Sequence, residues 1–299
     1  MSLLSSRILL RSATALLFAV ALGGCAAPLS ASGDDTRSEH GAERLFEGKA
    51  LQLAIAAEHG RTETIRRLMR DEKVDPDTIF AKDEGLPLVA WPVYTRNPQG
   101  LKAMLDNGAD PNARRPEYVD KHYKDGSGGR YFTYENAMVY AAQEENPIYL
   151  QLLLDHGGDP NTRNGNDEPL TYIAFIKQNQ WQNVKLLIER GADIHGASWS
   201  GRPIDWYSGR GGFEQTYWLL QHGADPTKIT KGADPKHSYM PVVADIYWHP
   251  GSPATVEWQR RCQHWLRDKG IKRPPMPDHL RDMRKAFKFP TAEKDIPLL

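Results

Sequence analysis

The chain has 299 residues, 38 basic against 38 acidic side chains, and 40% apolar residues, which is ordinary soluble-protein composition with ample material for a core. Balanced formal charge argues against a nucleic-acid binder, which usually needs a strongly basic face.

The N-terminus differs from the rest. Arg7 and Arg11 precede an uncharged run, SATALLFAVAL (12–22), followed by Gly-Gly-Cys. A basic start, a short apolar run and a small-residue site read as a processed export signal. The run is far shorter than the roughly 20 apolar residues a bilayer span takes. The tetrapeptide LGGC (22–25) resembles a bacterial lipobox. That resemblance implies cleavage before Cys25, diacylation of its thiol and acylation of the new amino terminus; an ordinary secretory signal with a chance cysteine is the other reading. Ala26 stands where inner-membrane lipoproteins carry aspartate, which points to the periplasm and the inner leaflet of the outer membrane. Residues 26–42 lack large hydrophobics apart from Leu29 and read as a flexible tether. Once Cys25 is lipidated only Cys262 remains, so no internal disulfide forms. Cys262 lies in a helical pattern, VEWQRRCQHWL, and is expected to be a small buried hydrophobe.

The next 180 or so residues repeat themselves. RDEKVDPD (70–77), LDNGADPN (105–112), LDHGGDPN (154–161), IERGADIH (188–195) and LQHGADPT (220–227) are versions of one turn. Their aspartates fall at 75, 110, 159, 193 and 225, so the intervals are 35, 49, 34 and 32 residues. Each turn follows a short apolar helix signal and then a second, amphipathic one. The first signals are ALQLAIAAEHG (50–60), LPLVAWPVYTR (86–96), NAMVYAAQEEN (136–146), PLTYIAFIKQN (169–179) and RPIDWYSGRGG (202–212). In NVKLLIERG, Val184, Leu187 and Ile188 share one helical stripe, and Gly191 follows where a left-handed cap is needed. Helices this short are marginal alone, so stacked neighbours must bury their stripes.

These units resemble ankyrin repeats, matching the pattern TPLHxAA…G…LLxxGADxN over about residues 48–230, with EPLTYIAFIKQN plus LLIERGAD as the nearest copy. A diverged sixth unit follows in MPVVADIYWHP (240–250) and TVEWQRRCQHWLRDKG (255–270). The resemblance implies an all-α ankyrin-repeat solenoid of about six helix pairs, with hairpin-like finger loops over a concave face. The chain departs from the pattern in lacking the histidine of the first helix throughout. Pro92 also sits inside a first helix, so units 2 and 5 are expected to have irregular first helices. The expected organisation is a lipoprotein signal at 1–24, acylated Cys25 and tether at 25–44, repeats at 45–272, and a C-terminal cap and tail at 273–299. In that tail, DHLRDMRKAF (278–287) places Leu280, Met283 and Phe287 on one helical face with Asp278 as an N-cap. It reads as a cap over the open end of the solenoid; a docking helix is the alternative.

The 49-residue interval exceeds a regular unit by about 16 residues, and the excess lies within the connection ARRPEYVDKHYKDGSGGRYFTY (113–134). By the resemblance this is an elongated finger. It offers Arg114, Arg115, Lys121, Lys124 and Arg130 with Tyr118, His122, Tyr123, Tyr131, Phe132 and Tyr134, and DGSGG (125–129) supplies a tip. Tyrosine and arginine are enriched where interfaces derive their energy. A solvated insertion without a role is the other reading. A second surface is GASWSGRP (196–203), with Trp199 at a finger tip, either exposed for binding or folded back. The candidate partner-binding residues are therefore Arg114, Arg115, Tyr118, Lys121, His122, Tyr123, Arg130, Tyr131, Trp199 and Arg202. Trp206, Tyr207, Tyr247 and Trp248 fall in first helices, and periodicity does not divide them between core and groove.

Nothing in the sequence assembles a catalytic set. No histidine lies in HExxH, HxH or a Cys/His cluster, and no nucleophile elbow or phosphate loop occurs in context. His156 and His222 precede repeat glycines, where a cation complements a helix C-terminus. The expectation is no enzyme, no metal and no cofactor, with another protein as partner. Bacterial ankyrin-repeat lipoproteins resemble immunity proteins against toxins of type VI secretion, membrane-attacking phospholipases among them. The resemblance implies inhibition of such a toxin; an outer-membrane adaptor holding an endogenous periplasmic enzyme or assembly factor is the alternative.

Overall fold

The computed structural model describes residues 41–78, 87–114, 118–122, 128–132, 136–231, 238–296 and 298, with backbone alone for 118–122, 128–132, 231 and 238. Cys25, the export segment and most of the tether lie outside the described residues.

The repeat turn is where sequence becomes structure. Its aspartate accepts, through Oδ1, the amide of the residue two positions on: Asp77 to Asp75 at 2.9 Å, Asn112 to Asp110 at 2.8 Å, Asn161 to Asp159 at 2.8 Å, His195 to Asp193 at 2.9 Å and Thr227 to Asp225 at 2.8 Å. A short side chain closing its own backbone turn is what Asp does better than most residues. Glycine precedes the turn for a different reason. Gly108, Gly157, Gly191 and Gly223 have φ between 90° and 102°, and an added Cβ would meet nothing. Backbone conformation, not space, requires glycine there.

Between turns run six helix pairs: α1 (Gly48–Glu58) with α2 (Thr62–Arg66, continued by a π-helical turn Arg67–Asp71); α3 (Trp91–Tyr94) with α4 (Pro98–Asp106); α5 (Ala137–Gln143) with α6 (Ile148–Asp155); α7 (Leu170–Ile176) with α8 (Trp181–Glu189); α9 (Pro203–Ser208) with α10 (Phe213–Gln221); α11 (Pro241–Trp248) with α12 (Val256–Asp268). First helices pack on first helices and second on second, as α3 does on α5 and α5 on α7, or α4 on α6 and α10 on α12. The shared core runs through Leu101, Met104, Leu150, Leu153, Val184, Leu187, Leu219 and Leu266, all fully buried. Removing such apolar side chains from water stabilises by about 1.5–3 kcal/mol each, which is what holds helices too short to stand alone. The irregularity expected in unit 2 is present, whereas the first helix of unit 5 is a short but regular α-helix with a capping box. In unit 2 a 3-10 turn (Leu88–Ala90) leads into α3 with Pro92 in its first turn, and α9 has six residues.

Among the described residues, four connections carry the finger geometry. The longest holds an antiparallel hairpin, β1 (Tyr118–His122) against β2 (Gly128–Phe132), with Tyr118 opposite Phe132 and Asp120 opposite Arg130. Single bridges join Arg163 to Pro169 and Ser198 to Gly201, and β3 (Thr230–Lys231) pairs with β4 (Ser238–Tyr239). The solenoid is therefore all-α in its core with small hairpins between units.

Helix α13 (Asp278–Ala286) packs on α11, with Leu280 buried and Arg284 donating from Nη1 to the Trp248 carbonyl at 2.9 Å. This supports the cap rather than the docking helix. Two details differ from expectation. Asp278 is the first helical residue, preceded by Pro277 in the cap position, because proline already presets the extended entry. Phe287 is 66% exposed, its place in the contact with the repeats being taken by Arg284. Cys262 is buried and donates weakly to the Phe213 carbonyl, and burial pushes its thiol pKa up.

Candidate partner-binding face

The fingers and first helices build one continuous face in units 4 and 5. Its most exposed large side chain is Trp199, 82% exposed at a finger tip. The indole is both displayed and steered: Nε1 donates to Glu168 Oε1 of the preceding finger at 3.1 Å, and the ring meets Tyr172 of α7 edge-on at 6.3 Å. Behind it the aromatics continue inward. Tyr172 and Phe175 lie one helical turn apart on α7 and contact Trp206 of α9 at 5.1 Å each, Phe175 in a stacked arrangement. Arg210 covers the Phe175 ring at 4.9 Å, and Ile176 stands exposed beside it. Such pairs contribute about 0.5–1.5 kcal/mol beyond burial, and their rigidity keeps the entropy cost of presenting Trp199 low.

Arg202, expected at the partner surface, has a different role. It is 4% exposed, and its guanidinium is used inside the fold. Nε and Nη2 grip the Asp205 carboxylate at 2.9 and 2.8 Å, and Nη1 donates to the Asp225 carbonyl at 2.8 Å. Its backbone amide also donates to Asp205 Oδ2, capping α9. A bidentate arginine at the start of unit 5 thus fixes the turn at its end. The same turn keeps the Asp225 carboxyl below its ordinary range, chiefly through hydrogen bonds from the Thr227 hydroxyl and amide, with Arg202 and His195 adding attraction.

In the long finger, Tyr118, Lys121, His122, Arg130 and Tyr131 fall on the two paired strands. Arg114 enters the finger half-buried, while Arg115 and Tyr123 lie outside the described residues. Trp206, Tyr207, Tyr247 and Trp248 are all buried, as is Tyr172, so the groove draws on half-buried Phe175 and exposed Ile176 and Arg210, which the sequence reading missed. The signal available was PLTYIAF, where Tyr172 and Phe175 share a helical face; it is indistinguishable from a core stripe without knowing which side the next helix covers.

Two features follow from residues that depart from the repeat pattern. Thr171 occupies the position of the ankyrin histidine; its hydroxyl is buried without a hydrogen-bond partner beside a cavity of about 230 Å³ lined by Asn161, Arg163 and Asp193. Asp245 of α11 is buried against α9, where Ser208 Oγ donates to it at 2.8 Å. Burial is the main cause, with Asp205 nearby adding repulsion, of a pKa pushed up to about 7 against the pull of the Ser208 bond. The histidines before the repeat glycines act by hydrogen bonding. Nδ1 of His156 and of His222 reaches the carbonyl four residues back at 2.8 and 2.7 Å, and Asn107 makes the same bond without any charge. Among the described residues no group of three or more His, Cys, Asp or Glu side chains comes together as a metal site.

The class is an ankyrin-repeat solenoid, an architecture whose stacked units leave an extended face for another macromolecule. The crystal structure of the ankyrin repeat domain of Bcl-3, a member of the IkappaB protein family, matches with a TM-score of 0.50 and 20% identity over 72% of this chain and 85% of that one. At that identity the likeness speaks for the fold. No family model matches the chain, and no curated protein does.

Proposed function

We propose that the protein is a membrane-anchored binding scaffold that inhibits a cognate secreted antibacterial toxin, of the kind delivered by type VI secretion to attack phospholipids. The observation that carries the reading is Trp199, a large indole held out from a rigid aromatic base beside other fingers. Protein hot spots are built this way, with tryptophan, tyrosine and arginine at the centre. The paired strands at 118–132 extend the same finger series, and they would cover a toxin's active-site mouth or pin its lid. Lipidation at Cys25 would place this face at the periplasmic side of the outer membrane. There an inhibitor meets a membrane-acting enzyme at raised effective concentration.

The test is a titration of the mature protein against the product of the neighbouring toxin gene. Binding with loss of toxin activity supports the reading. Neither binding nor inhibition at micromolar concentration ends it, and capture of an endogenous envelope enzyme instead would make the protein an adaptor. Trp199→Ala should weaken the complex about 30-fold or more, the size of a hot-spot loss.

A further inference from the structure

The capping helix ends differently from the second helices of the repeats. Helices α4, α6, α8, α10 and α12 all stop at a left-handed glycine, whereas α13 stops at Lys288, with φ 61°. Lys73, φ 52°, at the glycine position of the degenerate first turn, is a second lysine in that conformation. A left-handed lysine is strained by its Cβ, so the surrounding structure must hold it. It does so firmly. Lys288 N donates to the Lys285 carbonyl at 3.1 Å and Phe289 N to the Arg284 carbonyl at 2.8 Å. Arg284, buried, reaches the Pro290 carbonyl through Nε at 2.6 Å, and Arg281 reaches the Thr291 carbonyl at 2.6 Å.

The fixed turn displays Phe287 and Phe289, 66% and 40% exposed, on either side of Lys288, with Lys285 exposed one turn back. Asp282 and Asp278 lie further towards the helix N-terminus. The surrounding segment is basic in an otherwise acidic chain. Residues 251–299 carry 11 Lys and Arg against 6 Asp and Glu, while residues 1–250 carry 27 against 32.

We propose that the Phe287–Lys288–Phe289 turn is a membrane contact, which seats in the headgroup layer of an anionic phospholipid surface. The two rings enter the boundary between headgroups and acyl chains, and Lys285 and Lys288 meet the lipid phosphates. Composition favours lipid over protein. Protein interfaces are depleted in lysine and need roughly 1,000 Å² or more of surface, whereas phenylalanine beside lysine on a small protruding turn suits a charged bilayer. The proposal does not depend on acylation of Cys25; beside such an anchor it would set how the repeats stand on the membrane.

Flotation with vesicles tests it, using residues 40–299, the compact unit that contains the whole described core. The unit should float with phosphatidylcholine vesicles containing phosphatidylglycerol, far less with phosphatidylcholine alone, and less as salt rises. Phe287→Ala with Phe289→Ala should weaken binding about tenfold or more. Lys288→Gly should weaken it about fivefold while raising Tm, because glycine relieves the turn. Lys73→Gly should raise Tm and leave vesicle binding unchanged, which separates strain from charge. Absence of binding to the anionic vesicles overturns the proposal, as does equal binding by the Phe287→Ala, Phe289→Ala protein. Loss of a protein partner by that variant, with no vesicle association in the parent, would assign the turn to a protein interface instead.

Discussion

The middle junctions of the solenoid are closed by amides and the outer ones by charges. In units 2 to 4 the asparagine of one turn serves the next turn twice. Asn112 donates from Nδ2 to the Gly157 carbonyl at 2.9 Å and accepts the Asp159 amide at 2.7 Å. Asn161 repeats this with the Gly191 carbonyl at 3.1 Å and the Asp193 amide at 2.8 Å. At the first junction Asp77 stands in the same place. It accepts the Asp110 amide at 3.3 Å and, when ionised, has nothing to donate. Burial, with repulsion from Asp75 and Asp110, pushes its pKa up to about 6 in spite of that bond. After Asp193, His195 holds the position, and Arg202 and Asp245 carry unit 5 and its junction. A neutral amide satisfies both groups of the neighbouring turn at any pH; a carboxylate satisfies one and brings a desolvation cost.

Breaking the charged end should cost most. Arg202→Ala leaves Asp205 without its guanidinium and Asp225 without its donor, and should destabilise by about 3–5 kcal/mol in urea unfolding. Asp245→Asn should do the opposite at alkaline pH. Its folded pKa is raised, so the protonated form's contribution is full below about pH 4 and is lost as pH rises through about 7. The variant should therefore match the parent near pH 4 and exceed it by roughly 2–4 kcal/mol at pH 8. In the middle, Asn161→Ala removes both amide bonds of one junction and should cost about 1–2 kcal/mol. Smallest is Asp77→Asn, which extends the amide pattern to the first junction. Allowing for solvent screening at this half-buried site, it should gain about 1 kcal/mol at pH 7, with the gain vanishing between pH 6 and 4.

The repeat was legible because its signals are local. A glycine at a helix stop, an aspartate two residues later and a stripe at helical spacing each act within one unit, so reading five copies located five of the six helix pairs, and the diverged sixth was read from its stripes alone. The cap over the open end was legible too, from Leu280 and Met283 at helical spacing. The face was harder, because it depends on contacts 23–37 residues apart in sequence. Trp199 stood out as a finger tip, but its Glu168 partner belongs to the preceding finger. Arg202 looked like a surface arginine next to a tryptophan; only the return of Asp225 to its side converts it to a clamp. Tyr172 and Phe175 both looked like core; Tyr172 is buried and Phe175 only half so, since a stripe does not say how far the next first helix reaches over it. The missing histidine was visible, while the unpartnered Thr171 hydroxyl it leaves was not.

Hydrogen exchange with and without a protein captured on the tagged mature chain asks the decisive question. The account predicts protection concentrated on the finger around Trp199, on β1 and β2, and on the first helices. Protection confined to the outer sides of the second helices would contradict it.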